Sequence, residues 1–204
     1  MRDKDNIRRI AALDIDYMGF IFYPESKRFA GIPPDAGIVK AVPDSIKKVG
    51  VFVNETIPVI KNICETLHLD FIQLHGNESP EFCRKLRDEK IQVIKTFHID
   101  RNFDFSFTGL YRETADYLLF DTKTPEFGGS GKSFDWELLE NYAEDIPFFL
   151  SGGIAPEHAE TLGESATGKM EAVDINSRFE TAPGIKDTER IKTFIRTLKS
   201  KMRA

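Results

Sequence analysis

Only two cysteines, Cys64 and Cys83, occur in this chain of 204 residues, too few and too far apart for a Cys-x-x-Cys metal clamp or a disulfide framework. Both are expected as free thiols in a reducing, cytoplasmic compartment. Long apolar runs are also lacking. None approaches the roughly 20 continuous residues that a bilayer-crossing helix needs, which excludes such a span. The opening stretch MRDKDNIRRI carries charges with no apolar segment behind them, so it does not read as a secretory signal. Nor does one sign of charge dominate: 28 Lys and Arg stand against 33 Asp and Glu, interspersed, for a net charge of -5. A nucleic-acid surface is therefore not expected, and a small-molecule substrate is. The composition is that of a globular protein long enough for one sizeable core, and a single domain over residues 1–204 is expected.

What is present is a rhythm. Short apolar runs recur at Tyr17 to Phe22, Val49 to Val53, Phe71 to Leu74, Ile91 to Phe97, Tyr117 to Phe120, Pro147 to Leu150 and Ala172 to Ile175. Their starts lie about 20 to 32 residues apart, room for one helix and two loops, as in βα units of a parallel sheet. Several runs scarcely alternate, as strands covered on both faces do. Between them, Ile60, Ile63, Cys64 and Leu67 keep the spacing of a buried helical stripe. Ser79 followed by Pro80 reads as an N-cap and first helical residue, with Phe82, Cys83 and Leu86 inward. Asp187 can cap a last helix carrying Ile191, Phe194, Ile195 and Leu198 on one side. The stretch from His98 to Thr114 is ambiguous, because Phe103, Phe105 and Phe107 alternate like a strand where the rhythm calls for a helix.

These units predict an α/β protein of the (β/α)8 TIM-barrel class, with seven strands recognisable where a closed barrel needs eight. The deficit falls at the front. Asp3 to Leu13 reads as a capped helix with Ile7, Ile10 and Ala11 inward and no strand ahead of it, so Met1 sits where a first strand should just have ended. A sheet with unpaired edges is expected to stand open on one side or to be sealed by a neighbour.

Three runs end in chemistry-bearing residues: Asp121, then Ser151-Gly152-Gly153, then Asp174-Ile175-Asn176-Ser177. In a barrel, the carboxyl ends of the strands form the catalytic rim. Small residues there let backbone N–H groups approach phosphate oxygens, which makes Gly152, Gly153, Asn176 and Ser177 phosphate candidates. His75 and Asp174 also fall near the rim. The segment GGSGKS (128–133) fails as a nucleotide loop, because Glu126 stands where the pattern requires its first glycine. It is expected instead to be a mobile loop closing over the substrate.

The segments DYMGFIFYPESKRF, VGVFVN, IQLHG, LLFDTKTPEFGGSGKSFDW, LSGGIAPEH and AVDINSRFETAPGIKD together resemble the phosphoribosylanthranilate isomerase family, a barrel enzyme of tryptophan biosynthesis, nearly end to end. The resemblance implies an Amadori rearrangement of N-(5-phosphoribosyl)anthranilate to 1-(2-carboxyphenylamino)-1-deoxyribulose 5-phosphate, with no cofactor and no metal. It puts the general acid on Asp121 and the holder of the anthranilate carboxylate on Arg28, whose planar fork suits a carboxylate. The family's general base is a cysteine in a Lys-Ile/Val-Cys-Gly segment ending the first strand, and the sequence begins just after that point. A start at an internal methionine and an impaired chain are the expectation. Cys64 and Cys83, both on apolar helix stripes, offer no substitute. In the last phosphate loop the family usually shows Ser-Ser-Gly-Val, where this chain has Asn176-Ser177-Arg178-Phe179, so Arg178 replaces a glycine. A non-catalytic binder of a phosphorylated ligand and another phosphosugar isomerase on the same barrel are the alternatives. A monomer or homodimer is expected, with no membrane or nucleic-acid partner.

Overall fold

Each apolar run becomes a strand in the computed structural model, which describes residues 1–31, 36–122, 136–164 and 168–202. The strands are β1 (Tyr17–Ile21), β2 (Lys47–Phe52), β3 (Phe71–Leu74), β4 (Gln92–Ile99), β5 (Tyr117–Thr122), β6 (Phe148–Leu150) and β7 (Met170–Val173). They form one seven-stranded sheet in sequence order, and every neighbouring pair is parallel. Helix α1 (Lys4–Ala11) precedes β1, while α2 (Ala36–Val39), α3 (Ile57–Leu67), α4 (Pro80–Asp88) and α5 (Ala159–Glu164) connect successive strands. A small antiparallel pair, β8 (Glu180–Ala182) and β9 (Ile185–Lys186), leads into the final helix α6 (Thr188–Met202).

The two faces of the sheet bury two separate clusters. Val49, Phe71, Ile94, Leu119 and Phe149 pack together with Tyr17, Tyr117 and Ala172. Residues of the opposite parity, such as Met18, Phe20, Ile72, Val93 and Leu118, belong to the larger cluster shared with the helices. Strand side chains alternate between faces, so two apolar clusters mean an inside and an outside. The inside is real because the sheet curls: Tyr17 on β1 meets the ring of Phe149 on β6 at 4.9 Å, and its hydroxyl donates to Glu171 on β7 at 2.8 Å. First and last strands thus approach at the amino-terminal end, where aromatic side chains plug the interior.

The described residues supply seven strands of the TIM-barrel fold, and among them β7 and β1 share no ladder. Along that seam Met1 lies against β1, its amino group donating to the Gly19 carbonyl at 2.9 Å and its side chain buried. Asn6, fully buried on α1, bridges to β9 by exchanging two hydrogen bonds of 2.8 Å with the backbone of Lys186.

Helix starts follow the local code. Asp3 caps α1 by accepting from the Asn6 amide at 2.7 Å, Ser79 caps α4 from Phe82 at 3.2 Å, and Asp187 accepts from the Arg190 amide at 3.0 Å at the head of α6. The ambiguous stretch resolves differently from either expectation. β4 runs on to Ile99, and a 3-10 helix, Phe105–Tyr111, follows. Phe103 and Phe105 turn inward onto Phe97 and Phe120, while Phe107 is 57% exposed, so the alternation belongs to a loop that winds into a 3-10 helix and not to a strand. The loop proposed at 128–133 lies outside the described residues.

Candidate active site

A cavity of about 400 Å³ opens at the carboxyl ends of the strands, and every site residue singled out from the sequence lines it. It extends sideways past Met1 and Met18 through the β7/β1 seam to Ile10 on α1 and Phe194 on α6. The inward parity that makes the plug at the bottom also builds the rim at the top. Phe71, Gln73 and His75 step upward on β3, Ile94, Thr96 and His98 on β4, and Tyr117, Leu119 and Asp121 on β5.

Asp121 is the last but one residue of β5 and 9% exposed. Burial, and then the nearby Asp174 carboxylate, push its pKa up to about 7, against the pull of the Thr122 amide that donates to Oδ1 at 2.8 Å. Near neutral pH this carboxyl is partly protonated, the condition for a general acid. His75 Nε2 lies 3.5 Å from Asp121 Oδ2. That distance would suggest an ion pair, but burial, with His98 and Lys95 nearby, lowers the His75 pKa to about 3, so the imidazole is neutral. Gln73 Nε2 lies 3.0 Å from His75 Nδ1, which leaves His75 Nε2 facing Asp121.

The loop carrying His75 is held from below by a buried ion pair. Lys95 Nζ meets Glu78 Oε2 at 2.8 Å and donates to the carbonyls of Leu74 and Gly76. The other oxygen of Glu78 accepts from the amides of Asn54 and Gly76.

Gly152, directly after Ser151, has a φ of +88°, and a Cβ there would stand 2.5 Å from the Thr122 nitrogen and 2.9 Å from Asp121 Oδ1. Only glycine lets the β6 loop pass this close to the acid. Gly153 follows, also at positive φ. Asp174, at the end of β7, accepts from the Ser151 hydroxyl at 3.1 Å; its pKa is raised by burial, with Lys186 and the Ser151 bond opposing. Asn176 Oδ1 accepts from Lys186 Nζ at 2.7 Å, and Ser177 opens a short 3-10 turn. Arg178 is exposed.

Arg28 lines the cavity, yet its guanidinium is already engaged. Nε and Nη2 fork onto Glu180 at 2.8 to 3.0 Å, and Lys186 shares that carboxylate at 3.2 Å. Burial alone would raise the Glu180 pKa, but Arg28 and Lys186 hold it below the usual value. Sequence reasoning did not find Glu180 or Lys186, since the contact joins positions 152 residues apart. It also missed His98, although the period-two pattern of β4, continued past Phe97, places it beside His75, with ring centroids 5.0 Å apart. Neither cysteine lines the cavity. Cys83 is fully buried on α4, with burial pushing its thiol up to about 12, and Cys64 on α3 is also raised by burial.

The family profile described as N-(5'phosphoribosyl)anthranilate isomerase matches residues 1–197. The chain belongs to this family. A phosphoribosylanthranilate isomerase from Parabacteroides distasonis is 46% identical over 199 residues, covering 97% of this chain and 90% of that protein. Among solved structures, phosphoribosylanthranilate isomerase from Thermotoga maritima superposes with a TM-score of 0.87 at 37% identity, covering 98% of this chain and 96% of the other. Another structure of the family enzyme, in complex with reduced 1-(o-carboxyphenylamino)-1-deoxyribulose 5-phosphate, has a TM-score of 0.84 at 33% identity, with 98% and 95% covered. As a member of the isomerase family the chain shares the TIM-barrel fold, and among the described residues no helix is long and apolar enough to cross a membrane.

Proposed function

We propose that the protein isomerises N-(5-phosphoribosyl)anthranilate to 1-(2-carboxyphenylamino)-1-deoxyribulose 5-phosphate, as a single barrel domain over residues 1–204 in the cytoplasm. The carrying observation is the buried carboxyl of Asp121 at the cavity rim, where burial and then Asp174 push its pKa up to about 7. In this reading Asp121 protonates the ribose ring oxygen, the C–O bond opens, and a base then removes the proton from the neighbouring carbon. The family resemblance gives that second task to a cysteine ending the first strand of the barrel, and neither Cys64 nor Cys83 lines the cavity.

Backbone amides of Gly152, Gly153, Asn176 and Ser177 receive the phosphate, and Lys186 adds positive charge beside them. Arg28 takes the anthranilate carboxylate, exchanging Glu180 for it, and Asp174 with His75 orders the acid. Whether monomer or homodimer, each of these residues comes from one chain. No cofactor enters this chemistry.

The test is turnover of phosphoribosylanthranilate by the 204-residue chain and by the same chain extended ahead of Met1 with a strand containing Lys-Val-Cys-Gly. In whichever form is active, Asp121→Ala is expected to lower kcat by about 10²- to 10⁴-fold. Unchanged turnover removes Asp121 from the role of acid.

A further inference from the structure

We propose that His75, His98 and Asp121 together form a binding site for a divalent transition-metal ion, with Zn²⁺ the best-fitting candidate. The three residues close β3, β4 and β5, which are consecutive neighbours in the sheet, and His98 and Asp121 are register partners across the β4/β5 ladder. One ring nitrogen from each histidine and one carboxylate oxygen lie within 4.8 Å of one another. Zinc bonds to nitrogen and oxygen of about 2.0–2.2 Å set a ligand spacing of about 3.4 Å in a tetrahedron. The His75 Nε2 to Asp121 Oδ2 edge already measures 3.5 Å. The other two edges are at most 4.8 Å, so a tetrahedral ion asks each to close by no more than about 1.4 Å.

The donor set decides the kind of ion. Two imidazoles and one carboxylate suit Zn²⁺ and its first-row neighbours, with further positions left for water or substrate. Ca²⁺ and Mg²⁺ seek oxygen cages and are a poor match.

The surroundings favour such an ion in two ways. Ligating histidines are normally steadied by an outer partner. Here Gln73 Nε2 stands 3.0 Å from His75 Nδ1, and its amide can turn to accept a proton there, while His98 Nε2 contacts the His75 carbonyl oxygen at 3.2 Å. The cation that both rings feel, Lys95, is matched by Glu78 at 2.8 Å, and Asp174 adds a further carboxylate near Asp121. His75 and Asp121 line the cavity, so an ion has a route in. If the isomerase reading holds, an ion there takes the oxygens of the acid, and occupancy excludes turnover. The binding site itself does not depend on that reading.

The measurement is Co²⁺ titration of the EDTA-treated, dialysed chain, followed by its visible absorption, which reports coordination without any assay of activity. A saturable band that Zn²⁺ bleaches is expected. In His98→Phe and in Asp121→Asn, each checked for folding by circular dichroism, Co²⁺ affinity is expected to fall by more than the roughly 10–100-fold that a lost outer partner costs. No band beyond that of the free ion overturns the proposal and leaves a metal-free network of strand-end contacts. A band that persists equally in both variants also overturns it, because the ion then sits elsewhere.

Discussion

Replacing Asp121 by Asn separates its electrostatics from its shape. Asn retains an Oδ1 to accept from the Thr122 amide, a bond of 2.8 Å, and fills the same volume, but it cannot ionise. In the folded protein the Asp121 pKa is about 7 against 3.8 for the free group. The proton is thus held more tightly folded than unfolded. The stabilising contribution is fully present below about pH 4 and is lost as pH rises towards and through 7. At 1.36 kcal/mol per pH unit the whole loss amounts to about 4 kcal/mol, which is the ceiling. Urea unfolding of both proteins, followed by fluorescence of the single tryptophan, Trp136, should show the variant gaining stability relative to wild type between pH 4 and pH 8. A gain of at least about 2 kcal/mol, half the ceiling, supports the reasoning. Stability curves that run parallel from pH 4 to pH 8 would refute the account of Asp121 as a carboxyl kept protonated by its surroundings.

The opposite pH dependence is expected of His75. Its folded pKa of about 3 against 6.5 means that stability is lost as pH falls below about 6.5, and His75→Gln should flatten acid unfolding in that window. Gly152→Ala places a methyl group 2.5 Å from the Thr122 nitrogen at a φ of +88°. Strain and overlap together should cost about 2–5 kcal/mol, read as a lower Tm, and an unchanged melt would remove the steric argument. Lys95→Met strands the Glu78 carboxylate in the core, an expected loss of about 3–5 kcal/mol in denaturant unfolding that Lys95→Met combined with Glu78→Gln should partly restore. For Arg28→Lys, steady-state kinetics should show KM raised and kcat largely kept, because one point charge replaces a planar fork. An equal fall in kcat and kcat/KM would argue against a role confined to holding the substrate.

The rim of the barrel was readable because strand parity is a local property. Once Leu119 faces inward, Asp121 must follow it, and Ile94 carries His98 inward in the same way, one step past Phe97, where the apolar run ends. Caps at Asp3, Ser79 and Asp187 were readable for a similar reason, since each accepts an amide three residues away. The Phe103-Phe105-Phe107 alternation misled because spacing alone cannot tell a strand from a loop whose aromatics fold back onto Phe97 and Phe120.

By itself the sequence determined the repeating βα units, the parallel order they imply, the family, and the strand-end positions that reach the cavity, because all of these rest on periodicity and on motifs a few residues long. Only the tertiary structure decided how those positions interact. Glu180 occupies Arg28, Glu78 anchors Lys95 beneath the His75 loop, and burial, with Asp174 beside it, pushes the Asp121 pKa up to about 7. Those effects depend on distance and on exclusion of water, and neither is set until separated segments of the chain are brought together.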